Sequence, residues 1–189
     1  MKNQQTVYAT GKLYWAKIVG QDALVDNYEK TGREWTFEFQ PDDTSFLKEA
    51  RLLDRLKDPL AYAGRLEQRG EVEKAQKARE MAEGRTDYLL IKKAELNKEG
   101  KANKPFKIID SDNKEWDDRK IGNGSTADVK RSIIDWGPGK KKSIWCSAIR
   151  VQDLIPYEDD GGGIFGGMDG NSPKPSSAPV LEDDDDLPF

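Results

Sequence analysis

Between Trp35 and Phe39 the chain reads Trp-Thr-Phe-Glu-Phe, three large apolar side chains separated by single polar ones. Only an extended backbone puts every second side chain on one side, so this segment is a strand with one buried face. Further stretches rich in β-branched and aromatic residues fall at 7–18, 88–94, 106–110, 127–136 and 143–155. Between the second and third of these six strands the texture changes. Phe46, Leu47, Ala50, Leu53, Leu56 and Leu60 recur three and four residues apart, and 72–81 is rich in Ala, Glu, Lys and Arg. That pattern predicts two or three helices within about 43–84, with Asp43 or Thr44 as the first cap and Gly70 and Gly84 as punctuation.

Strands, a helical excursion and then more strands, five or six strands in all and paired mostly antiparallel, predict a mainly β fold. The expected architecture is an OB-fold-like Greek-key barrel with a helical insertion, followed by a disordered acidic C-terminal tail. A β-sandwich would give nearly the same strand pattern.

Composition narrows the chemistry. Among 189 residues there is no histidine and a single cysteine, Cys146. Imidazole bases, Ser-His and Cys-His nucleophiles, an internal disulfide and a multi-cysteine zinc site are therefore excluded, and Cys146 reads as a buried, inert thiol. No enzymatic activity, cofactor or metal is expected. No apolar run approaches a membrane span and Met1-Lys2-Asn3-Gln4-Gln5 is not a secretory leader, which predicts a cytoplasmic protein without a membrane partner.

The net charge of -4 conceals an asymmetry. Residues 1–157 carry 30 bases against 26 acids, while 158–189 carry one base, Lys174, against nine acids. A mildly basic body suits an anion, and a strongly acidic tail suits a basic pocket. From 161 to 179 Gly, Pro, Ser and Asn dominate, which leaves too little apolar area to offset chain entropy. The organisation expected is a body over 1–157, a flexible linker over 158–181 and an acidic tip over 182–189.

The tip is the most specific feature. Asp183, Asp184, Asp185 and Asp186 precede Leu187, Pro188 and a terminal Phe189. Aspartates can meet lysines and arginines around a pocket, Pro188 restricts the backbone, and the Phe189 ring with its carboxylate can enter an apolar hole with a basic rim. An acidic run ending in an apolar residue, Pro and Phe resembles the tips of bacterial single-stranded DNA-binding proteins. The plan of one barrel, an acidic tail and a terminal aromatic is similar to that of single-stranded DNA-binding proteins of short-tailed bacteriophages. The body resembles the phage proteins through its strand order, its helical insertion and the turn Ile121-Gly122-Asn123-Gly124-Ser125. The resemblance implies single-stranded DNA as ligand, a role in DNA replication, recombination or repair, and a tail that docks onto a DNA polymerase, helicase or primase. A homodimer is compatible with it.

Bases and aromatics also interleave along the strands and turns, as a ligand with phosphates and unpaired bases requires. The candidate contacts are Lys12, Tyr14, Trp15 and Lys17; Tyr88, Lys92 and Lys93; Lys104, Phe106 and Lys107; Lys130, Arg131 and Trp136; Lys140, Lys141 and Lys142, followed by Trp145. Gly137-Pro138-Gly139 reads as a turn presenting the three lysines. Asp110-Ser111-Asp112-Asn113-Lys114-Glu115 opens like a calcium loop but lacks the required glycine and glutamate, so it reads as a polar turn. Two competing readings are a divalent-metal nuclease using Asp42, Asp112 and Lys114, and a protein-interaction adaptor that binds no DNA.

Overall fold

The computed structural model describes residues 3–20, 23–26 and 32–157. The linker and the tip, with the partner contacts expected at Asp183 to Phe189, lie outside the described residues. The elements in chain order are β1 (Asn3–Lys17), β2 (Val25–Asp26), β3 (Arg33–Pro41), α1 (Ser45–Ala50), a 3₁₀ turn (Leu53–Arg55), α2 (Ala61–Gln68), α3 (Val72–Ala82), β4 (Leu89–Ala94), β5 (Lys107–Ile109), β6 (Ser125–Asp135) and β7 (Ser143–Asp153). All six expected strands are present, and the two-residue β2 is an addition.

The sheet runs β4-β3-β1-β6-β7-β5, with β2 extending the β1 edge of β3. Every pairing is antiparallel except β5 with β7. The long β1 makes this possible by serving two partners: Asn3 to Leu13 pair with β6, and Gly11 to Lys17 pair with β3. At the overlap sits Gly11, where a Cβ would lie 2.2 Å from the Gln40 carbonyl oxygen, so only glycine permits the close crossing. Beyond it β1 bulges between Tyr14 and Lys17. Trp15 there takes a φ of +50° and its N–H donates to the Asn123 side-chain oxygen at 2.7 Å, tying the bulge to the turn before β6.

This is the connectivity of a five-stranded Greek-key barrel, with β1, β3, β4, β6 and β7 as the main strands. Leu13, Trp35, Phe37, Phe39, Ile91, Val129, Ile149 and Val151 point inward and form the core. Among the described residues no ladder joins β4 to β5. Phe106 fills that seam instead, its ring edge-on to Phe37 at 5.4 Å between centroids.

The helical insertion departs from its sequence pattern. The apolar periodicity from Phe46 to Leu60 is not one helix, because Arg51 adopts a left-handed conformation that closes α1 after six residues. Asp43 holds the start of α1, accepting from the Ser45 N–H at 2.8 Å and from its hydroxyl at 2.6 Å. Leu47, Ala50 and Leu52 join the barrel core. The α2–α3 pair instead buries Ala63, Leu66, Ala75 and Ala78 in a cluster of its own, where small side chains let the two helices approach.

Candidate nucleic-acid interface

A barrel strand alternates inward and outward, so register decides which side chains share a surface. On the outward side of β1, β6, β7 and β5, the partners Tyr8, Lys130, Ala148 and Lys107 form a single row across four strands. The neighbouring row is Thr6, Ser132 and Trp145. β7 owes this arrangement to a bulge: Lys130 pairs with Ala148 and Arg131 with Cys146, which leaves Ser147 as an extra residue. The extra residue resets the alternation, so Trp145 and Ala148 both face outward while Cys146 and Ile149 face inward.

The rings on this face are open. Tyr8 is 68% exposed and Trp145 60%, and the Lys130 ammonium stands 5.7 Å from the Tyr8 ring centroid. Between the two rings lie Lys130 and the small side chains of Ser132 and Ala148. The β6–β7 turn adjoins the Trp145 end. Its Gly137 and Gly139 take positive φ, Trp136 is 40% exposed with its indole N–H donating to the Ser143 hydroxyl at 3.0 Å, and Lys140 and Lys141 are exposed. Lys142 is held 3.4 Å from Asp135. On the third row Asp128 is neutralised locally: its carboxylate accepts from Thr10 at 2.7 Å, Arg150 at 2.6 Å and Gln152 at 2.6 Å. Burial works against its ionisation, but these hydrogen bonds prevail and hold its pKa below the ordinary carboxylate value.

The outward side of β1, β3 and β4 carries Lys12, Tyr14 and Lys17 beside Thr36, Glu38 and Lys92. Here the same residue types are engaged with one another. The segment leading from α3 into β4 folds back over β3 and lays Arg85 against Glu38, with the guanidinium carbon 4.2 Å from the Tyr14 ring centroid and 5.2 Å from that of Tyr88. The side chains of Arg85 and Glu38 are only 7% and 6% exposed. Burial pushes the Glu38 carboxyl up despite the Arg85 hydrogen bond. Lys92 pairs with Glu34 at 3.4 Å, and burial lowers the pKa of Lys17. Lys12 and Lys92 are the exposed members of this group, and Trp15 is half-buried at the bulge.

Three expected contacts are buried. Tyr88 lies under Arg85 on the sealed face and Phe106 lies in the seam against Phe37, so neither ring offers a face to a base. Arg131 is fully buried, its guanidinium between the Phe39 and Phe46 rings at 4.7 and 4.1 Å, and none of its three side-chain nitrogens has a hydrogen-bond partner. Desolvation lowers its pKa to about 10. Its place follows from parity: on β6 the odd-numbered residues from Ser125 to Ile133 face inward, and a base in that series goes inside with them. Lys93 shares the inward register of Trp35 and reaches the seam, 5.2 Å from the Phe106 ring, where burial lowers its pKa. Lys104 is exposed just before β5. Burial pushes the nearby Cys146 thiol up to about 12, which keeps it protonated and unreactive.

Tyr8 is the exposed ring that a search for base-flanked aromatics misses. Its signal is the polar alternation Gln4, Thr6, Tyr8, Thr10, Lys12, which marks the outward side of one strand. Asp112 and Lys114 pair with each other at 3.5 Å on the exposed turn after β5, and among the described residues no three His, Cys, Asp or Glu side chains converge on a metal position. No described helix is long and apolar enough to cross a membrane.

No protein-family profile matches the chain, and no curated protein sequence is similar to it. Among solved structures the chain is similar to the crystal structure of gp2.5, a single-stranded DNA-binding protein encoded by bacteriophage T7. The two are 18% identical, the match covers 93% of this chain and 100% of that one, and the TM-score is 0.43.

Proposed function

We propose that this chain binds single-stranded DNA without regard to sequence, through the surface of its barrel, and recruits replication enzymes through its acidic tip. The observation that carries the reading is the exposure of large aromatic rings beside lysines on the sheet, led by Tyr8 with Lys130 and by Trp145. Core packing accounts for Trp35, Phe37 and Phe39 but not for rings in water. Unpaired bases are the ligand that uses both parts, since rings stack on bases and ammonium groups follow the phosphates. Asp183 to Phe189 have the chemistry of a short peptide ligand for a basic-rimmed apolar pocket on a polymerase, helicase or primase.

The test is fluorescence anisotropy with the full chain, titrating single- and double-stranded oligonucleotides of one sequence across a salt series. Preferential single-strand binding that weakens with salt is expected. Replacing Asp183 to Asp186 with Asn should tighten binding most at low salt, where acidic residues compete best with phosphate. Removing Phe189 should spare DNA binding and abolish capture of a polymerase or helicase. Absence of single-strand binding at low salt would leave the tip as the chain's only working part and overturn the reading.

A further inference from the structure

Barrels of this connectivity commonly hold oligonucleotides on the face of their second and third strands, here β3 and β4. In this chain that face is closed. The segment entering β4 lies on it, Arg85 and Glu38 are buried there as a pair, the Tyr14 ring is stacked under a guanidinium, and Lys92 answers Glu34. A strand laid on this side would have to displace a buried ion pair and strip Arg85 from two tyrosine rings.

The opposite arrangement holds around the barrel. We infer that the single strand is bound on the outward face of β1, β6, β7 and β5, with Tyr8 and Trp145 as its stacking residues and Lys130 and Lys107 as its phosphate contacts. This rests on the single-stranded DNA reading and goes further by choosing the face. Tyr8, Lys130, Ala148 and Lys107 span four adjacent strands, so the row is about 14 Å wide at the usual inter-strand spacing. Trp145 stands two strands from Tyr8 and one row over; Lys130 and the small Ser132 and Ala148 lie between them, and both rings remain more than half exposed. Lys130 flanks the Tyr8 ring and shares its row with Lys107, which sets cations beside the stacking positions. Asp128, the acid bordering the row, has its charge answered by Arg150, so the face does not repel phosphate. Two strands of duplex DNA would hide the base faces that these rings require, which makes the site selective for unpaired bases.

The experiment uses the full chain and an oligothymidylate, read by anisotropy and by tryptophan fluorescence. Tyr8→Ala and Trp145→Ala are each expected to weaken binding about 5- to 150-fold, the loss of one stacked base. Tyr8→Phe, which keeps the ring, should bind nearly as the parent does. Trp145→Phe should likewise retain affinity while removing most of the quenching that DNA produces. Tyr14→Leu and Lys92→Ala, on the closed face, should leave affinity unchanged. If the parent binds and the alanine variants at Tyr8 and Trp145 bind equally well, while Tyr14→Leu or Lys92→Ala does not, the face assignment is wrong and the DNA-binding reading stands. If the parent itself does not bind, both fall.

Discussion

The two outward faces of the barrel are built from the same residue types and do opposite things with them. On β1, β3 and β4, a tyrosine, an arginine and a glutamate seal one another from water. On β1, β6, β7 and β5, a tyrosine and a tryptophan stand in solvent with lysines beside them. Cation–aromatic neighbours in a sequence therefore do not by themselves decide between a structural and a binding role. What distinguishes the faces is a third party: a buried carboxylate and a covering segment on one, and neither on the other. A satisfied pair holds the fold, and an open pair is available to a ligand.

The largest effect should come from breaking the sealed face. Glu38→Ala leaves Arg85 buried without its carboxylate, which is expected to cost about 3–5 kcal/mol of stability by urea or guanidinium denaturation. Replacing Glu38 and Arg85 together with leucine should restore most of that loss, since two well-packed apolar side chains avoid both desolvation penalties. At temperatures where Glu38→Ala remains folded, its affinity for single-stranded DNA should equal the parent's. Loss of affinity in proportion to stability would erase the distinction between the faces.

How much of this is legible in the sequence follows from the physics of alternation. Period-two patterning finds Trp35, Phe37 and Phe39, and richness in β-branched and aromatic residues finds the other strands longer than two residues, because a buried sheet face leaves a local signature. It does not place Trp145 and Ala148 on one side, since the Ser147 bulge resets parity in β7 and leaves no mark in composition. Parity does separate Arg131 from Lys130, since Arg131 falls in the series Ala127, Val129 and Ile133; a search for bases near aromatics overlooks that signal because it weighs residue type and not position. The break after Arg51 is hidden because the apolar spacing continues past it, although the backbone does not. The tip is legible from sequence alone, and its assignment stays with the experiment on Phe189.

Arg131 sharpens the comparison from inside. Its folded pKa of about 10 lies below the ordinary guanidinium value, so the charged form is disfavoured by folding throughout the neutral range, and the penalty is relieved only as pH rises past about 10. The Phe39 and Phe46 rings offset part of that cost. Arg131→Met keeps the volume and removes the charge, and should raise stability by about 1–3 kcal/mol by thermal or urea denaturation. A fall in stability would mean that the two ring contacts outweigh desolvation, and that the interior cation holds the fold as the sealed face does.

Asp128 tests whether the open face is neutral at its border. Asp128→Asn should lower stability by about 1 kcal/mol, because three hydrogen-bond donors lose an ionised acceptor on a partly solvated surface. Since the native carboxyl is shifted below the unfolded value of 3.8, the parent's advantage should be complete at pH 7 and fade as pH falls below 3.8. DNA affinity should move the other way, rising slightly as Arg150 loses its counter-charge beside the row. A variant that loses stability and affinity together would mean that Asp128 orders the platform rather than merely bordering it.

The smallest effect is the most discriminating between faces. Each ammonium that neutralises a phosphate of single-stranded DNA contributes about 0.7 to the slope of log affinity against log salt concentration. Lys130→Ala and Lys107→Ala should each reduce that slope by about this amount, and the double variant by about twice it, because the two lysines stand on different strands with Ala148 between them. Lys92→Ala should leave the slope alone, since its ammonium already faces Glu34. A slope that responds equally to Lys92 and Lys130 would mean that phosphates pass over both faces. The barrel would then attract the strand by its overall charge, and the rings of Tyr8 and Trp145 would have to account for any preference in where it lies.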